Sequence, residues 1–266
     1  MKIDYRETTN DLLKRIDIHS QYGSRNIDEW MLEIIQLEKG MKILDVGCGA
    51  GKQCFSYHHF LQGGAEITGG DVNLELLSQA KLENEKRGTG MKFIELDFNK
   101  CFTMDDNQFD FESCCFAIYY AEDIPFTIKE MHRVLKPGGR LFSSGPMPDN
   151  KLFFYEIIRE ATGKQIPPMP GSSRYSTQIL DAMKSTFNKV DVHIFENPLV
   201  FDSVEPFIAY TRASLSEDRK LWSSFFETKD DFEKIMRSIT EASEKRLQQH
   251  GKLVMTKVVG GFIAIK

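Results

Sequence analysis

Ile43-Leu44-Asp45-Val46-Gly47-Cys48-Gly49-Ala50-Gly51 is the stretch on which the fold turns. It reads as a short buried strand that runs into a glycine-rich turn, followed by a helix beginning near Gly51 and carrying Phe55 and Phe60. Each glycine removes a Cβ and opens backbone dihedrals closed to other residues, so the turn can approach a ligand closely. Tight strand-to-helix turns need glycine for steric reasons as well, and the stretch takes its meaning from its surroundings.

Downstream the chain alternates strand and helix patterns. Candidate strands are Lys42 to Val46, Glu66 to Asp71, Met91 to Leu96, Phe109 to Ala117 and Gly139 to Ser144, with helix-length segments between them. That alternation predicts a doubly wound parallel sheet, whose ligands bind beyond the carboxyl ends of the strands. Upstream, a short helical pattern surrounds Leu12, Leu13 and Ile16 and gives way to a polar turn from His19 to Ser24. A second helix starts at Asn26, with Glu29 as the reciprocal acid and an apolar stripe of Ile27, Trp30, Met31, Ile34 and Ile35; Gly40 closes it.

After Gly145-Pro146-Met147-Pro148 the rhythm changes. A helix with Phe154, Ile157, Ile158 and Ala161 on one face ends at Gly163, and Pro167 to Ser173 reads as a loop. A helix near Gln178 to Asn188 leads to a strand at Val190 to Phe195, which Asn197-Pro198 ends. Two or three helices follow between Val204 and Gln249, the last marked by Phe232, Ile235, Met236 and Ile239, before a β-rich end from Leu253 to Lys266 interrupted by Gly260-Gly261. The expected organisation is an N-terminal helical cap over residues 1–40 and one domain over residues 41–266, with lid insertions near 150–173 and 203–250.

Composition narrows the function classes. With 266 residues, 41% hydrophobic and 27% charged, the chain has the make-up of an ordinary globular protein. A net charge of −5 and a pI near 5.8 provide no basic field for nucleic acid or anionic lipid, so neither is an expected partner. The 5 cysteines are odd in number, lie in the first half of the chain and lack zinc-ligand spacing, which predicts no metal site. Together with a polar start and no apolar run of membrane-crossing length, they predict a cytoplasmic location. Nothing in the pattern speaks to oligomeric state.

Two acids give the glycine turn its chemistry. Asp71, in Thr68-Gly69-Gly70-Asp71-Val72-Asn73, ends the second strand, where an acid can accept both hydroxyls of a ribose; the same position also suits a helix N-terminal acid. The turn itself is Gly-x-Gly-x-Gly, not the Gly-x-Gly-x-x-Gly of pyrophosphate-binding loops, and Asp45 ahead of it would repel a diphosphate and suit a cation. At the end of the third strand Asp97 can accept from an exocyclic amine, and Phe98 can stack or pack against a base. These residues describe an adenosine that carries positive charge in place of phosphates.

The segments Ile43 to Gly51, Gly70-Asp71-Val72, Leu96-Asp97-Phe98, Phe109-Asp110 to Asp123, and Arg133-Val134-Leu135-Lys136-Pro137-Gly138-Gly139-Arg140 together resemble the successive motifs of a class I S-adenosylmethionine-dependent methyltransferase of the small-molecule type. The resemblance spans about Ile43 to Ser144 and implies a Rossmann-like, mostly parallel, seven-stranded sheet with an antiparallel last strand. It implies S-adenosyl-L-methionine as cofactor, with Gly47, Gly49 and Gly51 around the methionine part and Asp45 behind the loop. Asp71 would take the ribose hydroxyls, Val72 would pack on adenine, and Asp97 with the backbone of Phe98 would read the adenine amine. Cys114 or Cys115 would offer a carbonyl to the ammonium group, and Gln53 is a candidate for the carboxylate.

The chain departs from the family in two places. Gly70 stands where an apolar residue is usual, which predicts looser packing of the second strand. Ser113-Cys114-Cys115-Phe116 replaces the Asn/Asp-Pro-Pro-aromatic signature that grips planar amino groups, which argues against adenine and glutamine amides as acceptors.

Methyl transfer from a sulfonium needs orientation above all, and a base only for some acceptors. Tyr119 and Tyr120 are the candidate catalytic residues, with packing under a lid as their alternative role. Arg174, Tyr175 and Arg212 are candidates for binding an acidic group of the acceptor, with surface ion pairing as the alternative for the arginines. The expected function is methyl transfer to a small molecule. A non-catalytic cofactor-binding module or partner subunit is the second reading, and a nicotinamide-dependent oxidoreductase the third.

Overall fold

The glycine-rich stretch closes the first strand of a seven-stranded sheet. The computed structural model describes residues 8–266, with strands β1 Lys42–Val46, β2 Glu66–Asp71, β3 Lys92–Glu95, β4 Phe109–Cys115, β5 Leu135–Pro146, β6 Lys189–Phe201 and β7 Leu253–Ile265. Their order is β3-β2-β1-β4-β5-β7-β6. The pairs among β1 to β5 are parallel, and β7 runs antiparallel to β5 with Arg140 opposite Ile265 and Pro146 opposite Val259. Strand order reverses at β1 and β4, which opens a crevice beyond their carboxyl ends.

The helices are α1 Thr9–Tyr22, α2 Ile27–Ile35, α3 Lys52–Phe60, α4 Leu74–Arg87, α5 Ile124–Val134, α6 Leu152–Thr162, α7 Pro170–Arg174, α8 Leu180–Thr186, α9 Glu205–Ala213, α10 Arg219–Ser223 and α11 Lys229–His250. Among the described residues no helix is long and apolar enough to cross a membrane. The chain forms two compact units, a sheet unit of residues 27–147, 171–195 and 259–266, and a helical unit of the described residues before 27 with 148–170 and 196–258. α2 belongs to the sheet unit, and α6 and α9 to α11 belong to the helical unit.

In the sheet unit both faces of β1 are covered, so Ile43 and Leu44 are each fully buried although they point to opposite sides. Leu44 and Val46 pack with Ile128 and Met131 of α5 and Met183 of α8. Ile43 packs with Trp30 and Met31 of α2 and Cys54 and Tyr57 of α3. The helical unit has its own core, in which Phe154, Phe207, Tyr210, Trp222 and Phe232 are brought together with Phe201 and Met255. Its rings meet edge to face, as between Phe154 and Trp222 at 6.3 Å and 84°.

Several boundaries differ from the sequence expectation, each for a long-range reason. α1 continues through the polar residues His19 to Tyr22, because His19 stacks on Tyr210 and Tyr22 packs on Phe201. α2 stops at Ile35, not Gly40: Gln36 takes a left-handed conformation (φ 51°), and Leu37 is buried just beyond it.

β6 passes through Asn197-Pro198 to Phe201. As the last strand in the order it tolerates a proline without a ladder donor, and Asn197 receives the N–H groups of Ser24 and Arg25 at 3.0 and 3.2 Å. Pro170 opens α7 where a loop was expected, and the chain reaches α8 through a π-turn, Tyr175–Ile179.

β7 is not interrupted by its glycines. A Cβ at Gly260 would lie 2.6 Å from the Met147 sulfur, and one at Gly261 would lie 2.8 Å from the Trp30 ring. Nor does Gly70 loosen β2, since a Cβ there would strike Leu96 at 2.8 Å. The missing side chain is what lets the end of β3 close against β2.

Candidate cofactor site

β1 delivers the chain to the crevice, and the glycines turn it there. Gly47, Gly49 and Gly51 all have positive φ, at 71°, 54° and 84°. The N–H groups of Gly47 and Cys48 both donate to the Gly70 carbonyl of β2, at 2.8 and 3.0 Å, which ties the loop to its neighbouring strand. A Cβ on Gly47 would sit 2.6 Å from the Cβ of Ala117, a contact between atoms fixed to backbone. Gly51 then starts α3, whose first-turn N–H groups point out of the helix and favour an anion. Gln53 lies in that turn, half-buried.

Asp71 joins the loop to the end of β2. One carboxylate oxygen accepts the Gly49 N–H at 2.7 Å and the other accepts the Asn73 N–H at 2.8 Å. A carboxylate oxygen has two lone pairs, so each retains one for a ligand hydroxyl. Directly after it, Val72 is 59% exposed, an apolar side chain set beside a polar anchor.

Asp97 follows β3, accepts the Asn99 N–H at 3.0 Å and pairs with Lys100 at 3.0 Å. The Asn99 backbone donor, helped by Lys100, holds its carboxyl below the usual range, so it remains an acceptor at neutral pH. Phe98 is half-buried, and its carbonyl receives the Thr127 hydroxyl at 2.9 Å, which anchors this loop on α5.

Asp45 lies behind the loop, as the resemblance implied. It is 1% exposed beneath the loop, receiving the Ser113 hydroxyl at 2.6 Å and the Cys54 thiol at 3.6 Å. Burial pushes its pKa up to about 7 against the pull of those two bonds. Half protonated at neutral pH and facing the core, it props the loop from behind.

β4 ends opposite this prop. Burial pushes the Cys115 thiol up to about 12, so it stays a thiol at neutral pH. The next residue, Phe116, was not singled out by sequence. It adopts φ 55° with its N–H on the Ser144 carbonyl at 2.8 Å, a left-handed conformation that is costly for an aromatic residue and typical of functional turns. Nothing local in Cys115-Phe116-Ala117 encodes it.

The residues proposed for catalysis and acceptor binding scatter. Tyr119 and Tyr120 sit in a 3₁₀ turn with ring centroids 4.7 Å apart, Tyr120 70% exposed and Tyr119 half-buried. Arg174 donates to the carbonyls of Tyr119 (3.0 Å) and Ala121 (2.7 Å), stapling the segment that carries the two tyrosines. Tyr175 is a core residue, stacked on Phe262 at 4.4 Å with its hydroxyl donating to the Ser143 carbonyl at 2.7 Å. Arg212 is held by both oxygens of Glu233, at 2.7 and 2.8 Å. The protein itself therefore engages all three residues expected to hold the acceptor.

The sheet order, the glycine turn and the acids at the ends of β2 and β3 coincide with a known pattern. Residues 44–143 match the family model described as a methyltransferase domain. That segment, 100 of the chain's 266 residues, is similar to a methyltransferase domain.

A sterol 24-C-methyltransferase of Gibberella zeae is 35% identical over 114 residues, which cover 42% of this chain and 29% of that protein. A ubiquinone biosynthesis O-methyltransferase of Pseudomonas aeruginosa is 29% identical over 119 residues, 45% of this chain and 50% of that one. The chain thus spans half or less of the length of these relatives. The YcgJ protein of Bacillus subtilis shares the fold, with a TM-score of 0.58 at 18% identity over 90% of this chain and 97% of its own. The cofactor of such a domain is S-adenosylmethionine, and the donor set fits it: a glycine cradle that a Cβ would fill, free lone pairs on Asp71, and an exposed apolar Val72 beside them.

Proposed function

We propose that the chain transfers the methyl group of S-adenosylmethionine to a small-molecule acceptor. The observation that carries this reading is the convergence of the glycine turn, Asp71 and Asp97 at the carboxyl ends of three adjacent strands. Bound there, the cofactor supplies an activated methyl group on a sulfonium. What the chain contributes is binding and aim. Asp71 holds two hydroxyls while its bonds to Gly49 and Asn73 keep the loop in register, and the first turn of α3 offers N–H donors to a carboxylate.

Orientation of this kind supplies most of the acceleration for an in-line displacement with a good leaving group. Tyr119 and Tyr120 are the side chains we assign to the acceptor side, positioned through Arg174. The relatives' names cover both carbon and oxygen acceptors, so the acceptor atom is left open. All five cysteines are free thiols, which fits the cytoplasm as the working compartment.

Calorimetry tests the reading. S-adenosylmethionine and its demethylated product should bind one to one and NAD should not; tight NAD binding would sink the proposal. A metabolite panel with labelled methyl donor then separates an enzyme from a cofactor-binding module, because a module would bind the donor and label nothing.

A further inference from the structure

The helical unit contains a second concentration of charge, remote in sequence from the glycine turn. Lys151 is 2% exposed and takes a left-handed conformation at φ 63°. Its ammonium donates to Glu217 at 2.9 Å and to Asp218 at 3.0 Å. Arg15 lies 3.3 Å from Glu217, and the Tyr155 hydroxyl donates to Asp218 at 3.0 Å. Two carboxylates and two cations satisfy one another here, and this half of the cluster is closed.

Lys257 is the third cation and has no carboxylate of its own. On β7, half-buried, it makes no ion pair within 4.0 Å among the described residues, and its nearest polar partner is the Tyr210 hydroxyl at 3.4 Å. Tyr210 is fully buried, and the ring of His19 stacks on it at 5.7 Å and 29°. The Nε2 of His19 is buried with no hydrogen-bond partner in the protein.

The cluster therefore carries three cations, Arg15, Lys151 and Lys257, against Glu217 and Asp218. A structural lysine in such surroundings finds a counter-ion, as Lys151 does, because leaving a charge unpaired away from water is costly. An orphaned imidazole nitrogen carries a penalty of the same kind. Both deficits lie beside one residue, Tyr210, whose ring stacks on His19 and whose hydroxyl meets Lys257.

We propose that Lys257, His19 and Tyr210 form an anion-binding corner for the carboxylate or phosphate of a small molecule. Lys257 supplies the charge; the Tyr210 hydroxyl and the His19 ring N–H supply directional donors. The electrostatics agree with the geometry. Burial, reinforced by Lys151 and Arg15 and opposed by Glu217 and Asp218, holds Lys257 down to about 8, and burial with Lys257 holds His19 down to about 3, so the imidazole is a neutral donor at pH 7.

The test is calorimetric titration of the full chain with inorganic phosphate and, separately, with acetate, at constant ionic strength set by chloride, alongside titration with S-adenosylmethionine. Saturable one-to-one binding of phosphate or acetate is expected, and the better probe names the acidic group. Lys257→Met should weaken it by about tenfold or more, the loss of one charge-assisted contact, Lys257→Arg should retain it, and S-adenosylmethionine affinity should be unchanged in both. His19→Gln serves as the second variant, with a weakening of the same sense, should Lys257→Met not fold. No saturable anion binding in the unmodified chain, or equal binding in Lys257→Met, overturns the corner. Failure of S-adenosylmethionine to bind while the anion still binds would overturn the methyltransferase reading and leave the corner standing.

Discussion

Asp45→Asn is the substitution that tests the architecture beneath the glycine turn most directly. Asp45 is 1% exposed, and burial moves its pKa from 3.8 to about 7. About three units at 1.36 kcal/mol each correspond to about 4 kcal/mol of preference for the protonated form in the folded state. The folded pKa lies above the unfolded one, so the folded chain binds this proton more firmly. Its contribution to stability is complete below about pH 4 and is lost as the pH rises to about 7.

Asparagine cannot ionise, and its carbonyl can still receive the Ser113 hydroxyl. Relative to the unmodified chain the variant should therefore gain stability between pH 4 and 8, by up to about 4 kcal/mol, a ceiling that water penetration and relaxation reduce. Urea unfolding followed by circular dichroism at several pH values across that window measures the difference. Taking the difference removes the parallel slope from Glu112, which burial also raises and which is present in both proteins. A flat difference from pH 4 to 8 would refute the account of Asp45 as a proton-holding prop.

Three further outcomes are expected. Asp71→Ala removes acceptors that hold both the loop and a ligand, and at about 1.5–3 kcal/mol for each charge-assisted bond S-adenosylmethionine affinity should fall by about a hundredfold or more; retained affinity by calorimetry would overturn the ribose assignment. Gly47→Ala places a Cβ 2.6 Å from that of Ala117 at φ 71°, so thermal unfolding should show a loss of about 1–3 kcal/mol; a wild-type melting temperature would contradict the packing described. Glu112 is fully buried with neither carboxyl oxygen bonded, so Glu112→Met should raise stability at pH 7 by about 1–3 kcal/mol, and a destabilised variant would mean that the carboxyl has a partner.

Much of the sheet unit was legible because its signals are local. A parallel strand covered on both faces reads as a short continuous apolar run, so β1 and β2 have the bounds that Ile43-Leu44 and Ile67 suggest. Asp71 was legible for a similar reason, since the end of a strand beside a glycine turn is a position that chain order alone defines. β5 was less so: its ladder starts at Leu135 and resumes at Arg140, the intervening Pro137-Gly138-Gly139 being set aside from it. Pro198 misled because a proline forbids a central strand and not an edge strand, and the order of strands is a tertiary fact.

By itself, then, the sequence determined the alternation of strand and helix, the left-handed glycines of the turn and the acids that follow it, all consequences of backbone sterics and short spacings. Only the tertiary structure decided which of the other polar residues the protein itself engages. Arg174, Tyr175 and Arg212 looked available and are engaged by Tyr119 and Ala121, by Ser143 and by Glu233. Lys257 and His19 looked unremarkable; Lys257 meets only the Tyr210 hydroxyl and makes no ion pair among the described residues, and the His19 Nε2 is buried without a hydrogen-bond partner. Whether a charge is spent on the protein or remains for a ligand depends on partners tens of residues away, and a pairing of that range is settled by packing and not by any local pattern.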